Sequence, residues 1–171
     1  YDVPVEQIGG HLSDHYDPRQ RVMRLSPEVY NSTSVAAIGV AAHETGHAVQ
    51  HAQNYIPLGL RNNLYPVASI GSQMAFPLFF LGLLFASGFL MDLGIWLFVA
   101  ALAFQLITLP VEFNASSRAL RMLGSSGILS TSEIPKAKSV LSAAAMTYVA
   151  ATAMAASQLI RLLVLRGARD D

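Results

Sequence analysis

Phe76-Pro77-Leu78-Phe79-Phe80-Leu81-Gly82-Leu83-Leu84-Phe85 lies inside a stretch, residues 62–91, that holds no charged side chain. A hydrocarbon core about 30 Å thick is crossed by roughly 20 helical residues rising about 1.5 Å each. Residues 62–91 exceed that length, and a second uncharged window, 93–111, follows after Asp92 alone. Between them Ser87-Gly88-Phe89-Leu90-Met91-Asp92-Leu93-Gly94 can turn the chain back, so 65–109 is expected as a transmembrane hairpin. A third uncharged window, 139–160, is alanine-rich around Ala143-Ala144-Ala145-Met146-Thr147-Tyr148-Val149-Ala150-Ala151. Small residues suit close helix packing in a membrane. Residues 138–165 are therefore expected as a third membrane helix with Arg161 and Arg166 near its far end, a buried or transverse helix being the competing reading. The fold class that follows is mostly α, an integral membrane helical bundle.

Composition agrees. Hydrophobic residues make up 53% of the chain and charged residues 13%, about half the charged share of an ordinary soluble domain. The 11 basic and 11 acidic residues cancel, so no electrostatic footprint for nucleic acid exists. Cysteine is absent, which excludes disulfides, thiolate metal sites and cysteine nucleophiles. A bound metal must rely on His and carboxylate. The first residue is Tyr1, without a signal pattern after it. The chain reads as a single membrane-embedded domain, 1–171, cut from something longer, with an upstream membrane anchor expected ahead of it.

The polar segment 1–31 is expected to contribute a short β element. Leu12-Ser13-Asp14-His15-Tyr16-Asp17-Pro18 reads as an extended segment entering a turn, and 20–25 as a short strand. Asn31-Ser32-Thr33-Ser34 is a helix-capping cluster. A buried helix is expected over 34–53, closed by Asn54 and Pro57.

His43-Glu44-Thr45-Gly46-His47 falls in the second half of that helix. Positions 43 and 47 are about 40° apart around a helix axis and about 6 Å apart along it, so both imidazoles can lean toward one ion. Glu44, offset by about 100°, misses the metal and meets water instead. Zinc lowers the pKa of water toward about 7, and Glu44 then serves as the general base for attack on a carbonyl. His51 continues the series but lies about 12 Å further along than His43. It reads as a polar residue near the helix end, with contact to the site's supporting residues the sharper alternative. His11, Asp14 and His15 form an H-x-x-x-H-type cluster in an extended segment that does not converge on a metal.

Glu112 is the best third ligand. It follows the second uncharged window, in an expected helix over 110–124, and a hairpin that leaves the catalytic face must return it to that face. Asp92 sits in the turn and fails this test. Glu133, in Ser130-Thr131-Ser132-Glu133, remains a competitor whose ordinary explanation is helix capping. Ser116, one turn after Glu112, is placed to hydrogen-bond a ligand His. Arg118 is a candidate for polarising substrate or steadying an oxyanion, an interfacial Arg being the plain alternative.

Three runs carry a family resemblance: 12–18, then Val40-Ala41-Ala42-His43-Glu44-Thr45-Gly46-His47-Ala48-Val49-Gln50-His51, then Pro110-Val111-Glu112-Phe113-Asn114-Ala115-Ser116. Together they resemble the small neutral zinc metallopeptidases of bacterial membranes. More distantly they are similar to the heat-shock membrane metalloproteases and the CAAX-prenyl proteases. The resemblance covers essentially the whole chain. It implies a zincin-like, gluzincin-type H-E-x-x-H helix, one zinc ion on His43, His47 and Glu112, and Glu44 as base. One departure stands out: Ser116 occupies a position where relatives often carry Asp, and a neutral hydroxyl supports ligand basicity less than a carboxylate does.

The function expected is a zinc-dependent membrane endopeptidase acting on membrane-associated or misfolded proteins, with peptide or protein substrate and the lipid bilayer as partners. A non-proteolytic membrane scaffold or regulatory protein that keeps a metal site is the alternative. A soluble bundle metalloenzyme is a second one, recognisable by extraction without detergent. Arg61, Arg118, Arg121, Lys136 and Lys138 flank the hairpin, whereas 87–94 carries only Asp92. This asymmetry places the active site on the cytoplasmic side of the plasma membrane. Arg161, Arg166 and Arg169 argue the other way if the last helix crosses fully.

Overall fold

A computed structural model describes residues 2–168; Arg169 lies outside the described residues. The chain packs as two compact units, one built from the residues up to Gly59 with Pro110–Met146, the other from Leu60–Leu109 with the chain from Thr147 onward.

In the first unit, Val5–Gln7 (β1), His15–Asp17 (β2) and Val22–Leu25 (β3) form a sheet of order β1-β3-β2. β3 is central, parallel to β1 with Val5 opposite Met23 and antiparallel to β2 with Tyr16 opposite Met23. The short β element expected within 1–31 is thus a sheet: β3 falls in the strand expected over 20–25, β2 in the extended segment 12–18, and β1 is an addition. Position explains why: β1 and β2 are edge strands whose exposed or half-buried residues lack the apolar alternation that marks a strand. The β2–β3 turn is set by Asp17, whose Oδ1 accepts the Arg19 and Gln20 amides at 2.8 and 3.2 Å. Asp14 accepts both the amide and the hydroxyl of Ser26, at 2.7 and 3.1 Å, just ahead of the short helix Pro27–Tyr30 (α1).

Val35–Ala52 (α2) opens on Ser34, whose Oγ accepts the Ala37 amide at 3.2 Å. It ends in a Schellman arrangement: Asn54 adopts φ 51°, its amide donates to the His51 carbonyl, and the Tyr55 amide donates to that of Gln50. Ala42 packs with Ala119, Leu123, Leu129, Ala137 and Leu141, a core of small and branched residues.

Three further helices follow: Ile56–Leu84 (α3), Gly88–Ser126 (α4) and Ile134–Gly167 (α5). Each is long and apolar enough to cross a membrane. α3 starts well before residue 65, because Arg61, Asn62 and Asn63 continue the helix rather than preceding it. The helix expected separately over 110–124 is part of α4. Pro110 sits inside it without ending it; such prolines are tolerated in membrane helices, where neighbours satisfy the freed carbonyl. α5 begins four residues before 138 because Ser130 and Glu133 cap it: the Ser130 amide and hydroxyl donate to Glu133 Oε2 at 2.9 and 2.7 Å.

The second unit buries Ala75, Phe79, Met91, Ile95, Phe98, Ala155 and Leu162. The α3–α4 hairpin is tight: a Cβ on Gly94 would stand 2.6 Å from the Ala75 carbonyl oxygen, the close backbone approach that small residues permit in membrane helices. Leu84, Phe85, Phe89 and Trp96 point outward, each at least 70% exposed, a surface suited to lipid. Arg166 Nε donates to Asp92 Oδ1 at 2.7 Å, so the end of α5 is tied to the start of α4 beside the hairpin turn.

Candidate metal centre

α2 supplies His43 and His47 one helical turn apart, and α4 supplies Glu112 opposite them. Their rings meet edge to face, with centroids 4.7 Å apart. His43 Nε2 lies 3.0 Å and His47 Nε2 3.6 Å from the same oxygen, Glu112 Oε2. One ligand atom from each residue falls within 4.8 Å of the others. Tetrahedral zinc with bonds of about 2.0–2.2 Å places ligand atoms about 3.3 Å apart, so the residues present fit such an ion. Glu112 is 2% exposed, and a buried carboxylate facing two imidazole nitrogens is stabilised by a shared cation or proton. His47 shows the same pressure. Burial pushes its pKa down, but the Glu112 carboxylate, with help from Glu44 and Gln50, outweighs burial and leaves it raised.

What orients these side chains is equally specific. Ser116 Oγ sits 3.0 Å from His43 Nδ1, and Gln50 Oε1 2.9 Å from His47 Nδ1. Both Nδ1 atoms are thereby occupied and both Nε2 atoms turn toward Glu112, the usual way a protein fixes a ligand imidazole. Gln50 is fully buried. Its Nε2 donates to the Val111 carbonyl at 2.8 Å and to Asn114 Oδ1 at 3.0 Å, which fixes its amide orientation and ties α2 to α4. Gly46 makes the contact close enough: a Cβ there would stand 2.5 Å from the Ala115 carbonyl oxygen.

Glu44 is 8% exposed, and its Oε2 accepts the Tyr16 amide of β2 at 2.9 Å. His51 is not with the ligands; its Nδ1 lies 2.9 Å from the Tyr16 hydroxyl. Arg118 donates to Asn114 Oδ1 at 2.7 Å and to Gln53 Oε1 at 2.6 Å, with its guanidinium over the Tyr55 ring. The guanidinium thus joins the Gln50–Asn114 network. Glu133 is held by Ser130, and Asp92 by Arg166. Asp14 braces Ser26, while His15 Nδ1 is 2.7 Å from the Ser13 carbonyl.

Sequence reasoning missed Gln50, Asn114 and Tyr16. Gln50 had a signal, a polar side chain three residues after His47 on a buried helix face. Tyr16 had none, because its contact with Glu44 uses backbone and joins distant segments.

With this geometry in view, comparison with known proteins is decisive. Residues 1–167 match the family described as "Putative neutral zinc metallopeptidase". The chain belongs to that family. It is also 51% identical, over 172 aligned residues, to the "Putative membrane protease YugP" of Bacillus subtilis (strain 168). That alignment takes in 100% of this chain and 76% of the relative. No solved structure matches.

Proposed function

We propose that this chain is a zinc-dependent membrane endopeptidase that hydrolyses peptide bonds of membrane-associated or misfolded proteins. The observation that carries the reading is one cluster in which His43, His47 and Glu112 turn nitrogen and carboxylate atoms to a common point while Glu44, buried and anchored, lies near enough to act on the charge of His47. His43, His47 and Glu112 would hold the ion. Bound zinc supplies Lewis acidity, acidifying water and polarising a carbonyl oxygen. Glu44 does the proton work. The Tyr16 amide holds Oε2, which leaves Oε1 to take a proton from the attacking water and pass it to the departing amine nitrogen. Ser116 and Gln50 keep both imidazoles in the tautomer that presents Nε2. A zinc site of purely structural role needs no base, so the anchored Glu44 favours catalysis over a scaffold.

The hairpin turn carries no Lys or Arg, and Arg166 near it is paired with Asp92. The basic residues on the other flank, Arg61, Arg118, Arg121, Lys136 and Lys138, support a site on the cytoplasmic side of the plasma membrane. The test is metal analysis of the detergent-purified protein together with cleavage of an unfolded reporter, wild type against Glu44→Gln. Zinc in both with cleavage only by wild type supports the proposal. Zinc in both with cleavage by neither turns it toward the scaffold reading.

A further inference from the structure

Gln50 is fully buried against His47, and a primary amide can face an imidazole with either its oxygen or its nitrogen. The direction is settled further from the cluster, at Arg118. One turn after Asn114 on α4, its side chain is held by three groups. Nε donates to Asn114 Oδ1 at 2.7 Å, Nη1 donates to Gln53 Oε1 at 2.6 Å, and the guanidinium carbon stands 5.8 Å from the centre of the Tyr55 ring.

A guanidinium stays charged and has no acceptor. The Asn114 atom facing it must therefore be the carbonyl oxygen, because an NH2 group turned there would set donor against donor. The same oxygen lies 3.0 Å from Gln50, and the Val111 carbonyl oxygen lies 2.8 Å from the same Gln50 atom. Both are acceptors, so the Gln50 atom between them is the amide nitrogen. Its oxygen is left facing His47 Nδ1 at 2.9 Å, and an amide oxygen only accepts. The ring proton of His47 is thereby drawn to Nδ1, while Nε2 turns its lone pair toward the cluster, 3.6 Å from Glu112 Oε2. Every link from the guanidinium to the imidazole permits one direction only. The Val111 carbonyl is a second anchor for Gln50, so loss of Arg118 weakens the preference without abolishing it.

We propose that Arg118 is a positioning residue for the metal centre: acting through Asn114 and Gln50, it fixes the ring tautomer in which His47 offers Nε2 to the ion. The proposal rests on the reading of His47 as a zinc ligand. It gives Arg118 a task directed at the metal rather than at a substrate carbonyl.

The test uses the full chain in detergent with four substitutions. Asn114→Asp and Arg118→Lys preserve the direction, the first with a carboxylate that only accepts and the second with an ammonium that only donates. Asn114→Leu removes the link. Arg118→Gln fills the place with a group that donates and accepts alike, and so dictates nothing. Zinc affinity is read by titration against a competing chelator. The Nδ1–H of His47 is read by ring 15N NMR, assigned as the signal absent from His47→Gln. Arg118→Gln and Asn114→Leu are expected to weaken zinc binding about tenfold, the low end for a group supporting a ligand imidazole. Exchange of the Nδ1–H should quicken by about the same factor, the worth of one hydrogen bond. Arg118→Lys and Asn114→Asp should keep most of both properties.

Wild-type affinity and exchange in Arg118→Gln overturn the proposal, as does weaker zinc binding with an unchanged Nδ1–H. Equal loss in all four variants also overturns it, being the mark of packing alone. If Asn114→Leu does not fold, the contrast between Arg118→Gln and Arg118→Lys decides the matter. A wild type that takes up no zinc sinks the metal reading, and the exchange measurement, which needs no metal, still decides whether Arg118 sets the ring.

Discussion

Glu44 and Glu112 are both buried glutamates of one site, yet they are expected to fail differently when replaced. Glu44 accepts from a backbone amide and is near enough to His47 to act on its charge, but it is not one of the three converging groups, so Glu44→Gln should retain zinc while peptide hydrolysis falls by about 10²–10⁴-fold; zinc stoichiometry and turnover of an unfolded reporter check the two halves. Glu112 Oε2 is the point on which both imidazoles converge. Glu112→Ala should lose zinc and activity together, whereas Glu133→Ala, which removes only a helix cap, should keep both. Full zinc occupancy in Glu112→Ala would move the third ligand elsewhere. At this scale the sequence was generous where chemistry repeats at helical spacing: the nearness of His43 to His47 was legible from one turn of helix, and that of Glu112 to both from the return of a hairpin. It was silent on Tyr16, because a backbone amide leaves no trace in residue type. Gln50 was readable in principle but looked like any polar residue near a helix end.

At the scale of elements, Gly46 governs how closely α2 approaches α4. With 2.5 Å available to a Cβ against the Ala115 carbonyl oxygen, Gly46→Ala must push the helices apart and carry His47 away from Glu112. A destabilisation of about 1–3 kcal/mol, with zinc affinity falling alongside, is expected; thermal melts and metal titration of the variant check it, and a wild-type melt would contradict it. The β2–β3 turn offers a pH-dependent counterpart. The Gln20 amide above all, with the Arg19 amide and the Arg24 guanidinium, outweighs the opposing effect of burial and holds the Asp17 carboxyl below the usual Asp range. Its folded value lies below its unfolded one. Asp17 therefore stabilises the sheet fully above the ordinary value of about 3.9, and that contribution is lost as pH falls through the lowered value. Asp17→Asn should be less stable than wild type at neutral pH and lose less on acidification, as denaturant midpoints across that range will show. The edge strand β1 escaped sequence reading, and β2 was read only as extended chain, because pairing, not side-chain pattern, defines them. The long helices were legible from charge depletion alone, but their ends were not: α4 runs through Pro110, and the polar start of α3 resembles a loop in composition.

For the whole molecule the testable property is orientation. The chain contains no cysteine, so single cysteines report without background. Ser87→Cys, beside the hairpin turn and sparing the Asp92–Arg166 pair, is expected to react with a membrane-impermeant reagent in intact cells, and Ser126→Cys is not. The reverse labelling would put proteolysis on the extracytoplasmic face and change the class of substrates it meets.

His43 and His47 stand on one side of the α3–α4 hairpin in the chain, and Glu112 on the other. A cation shared among them would be a cross-link that closes the intervening loop, in a protein whose composition allows no disulfide. Unlike a disulfide, this closure is exchangeable, and its strength is set by the free concentration of the ion. At 100 times the dissociation constant it adds about 2.7 kcal/mol to the folded state, and each further tenfold adds about 1.4. With zinc bound there, a chelator is expected to lower the melting temperature, which thermal melts with and without chelator would register.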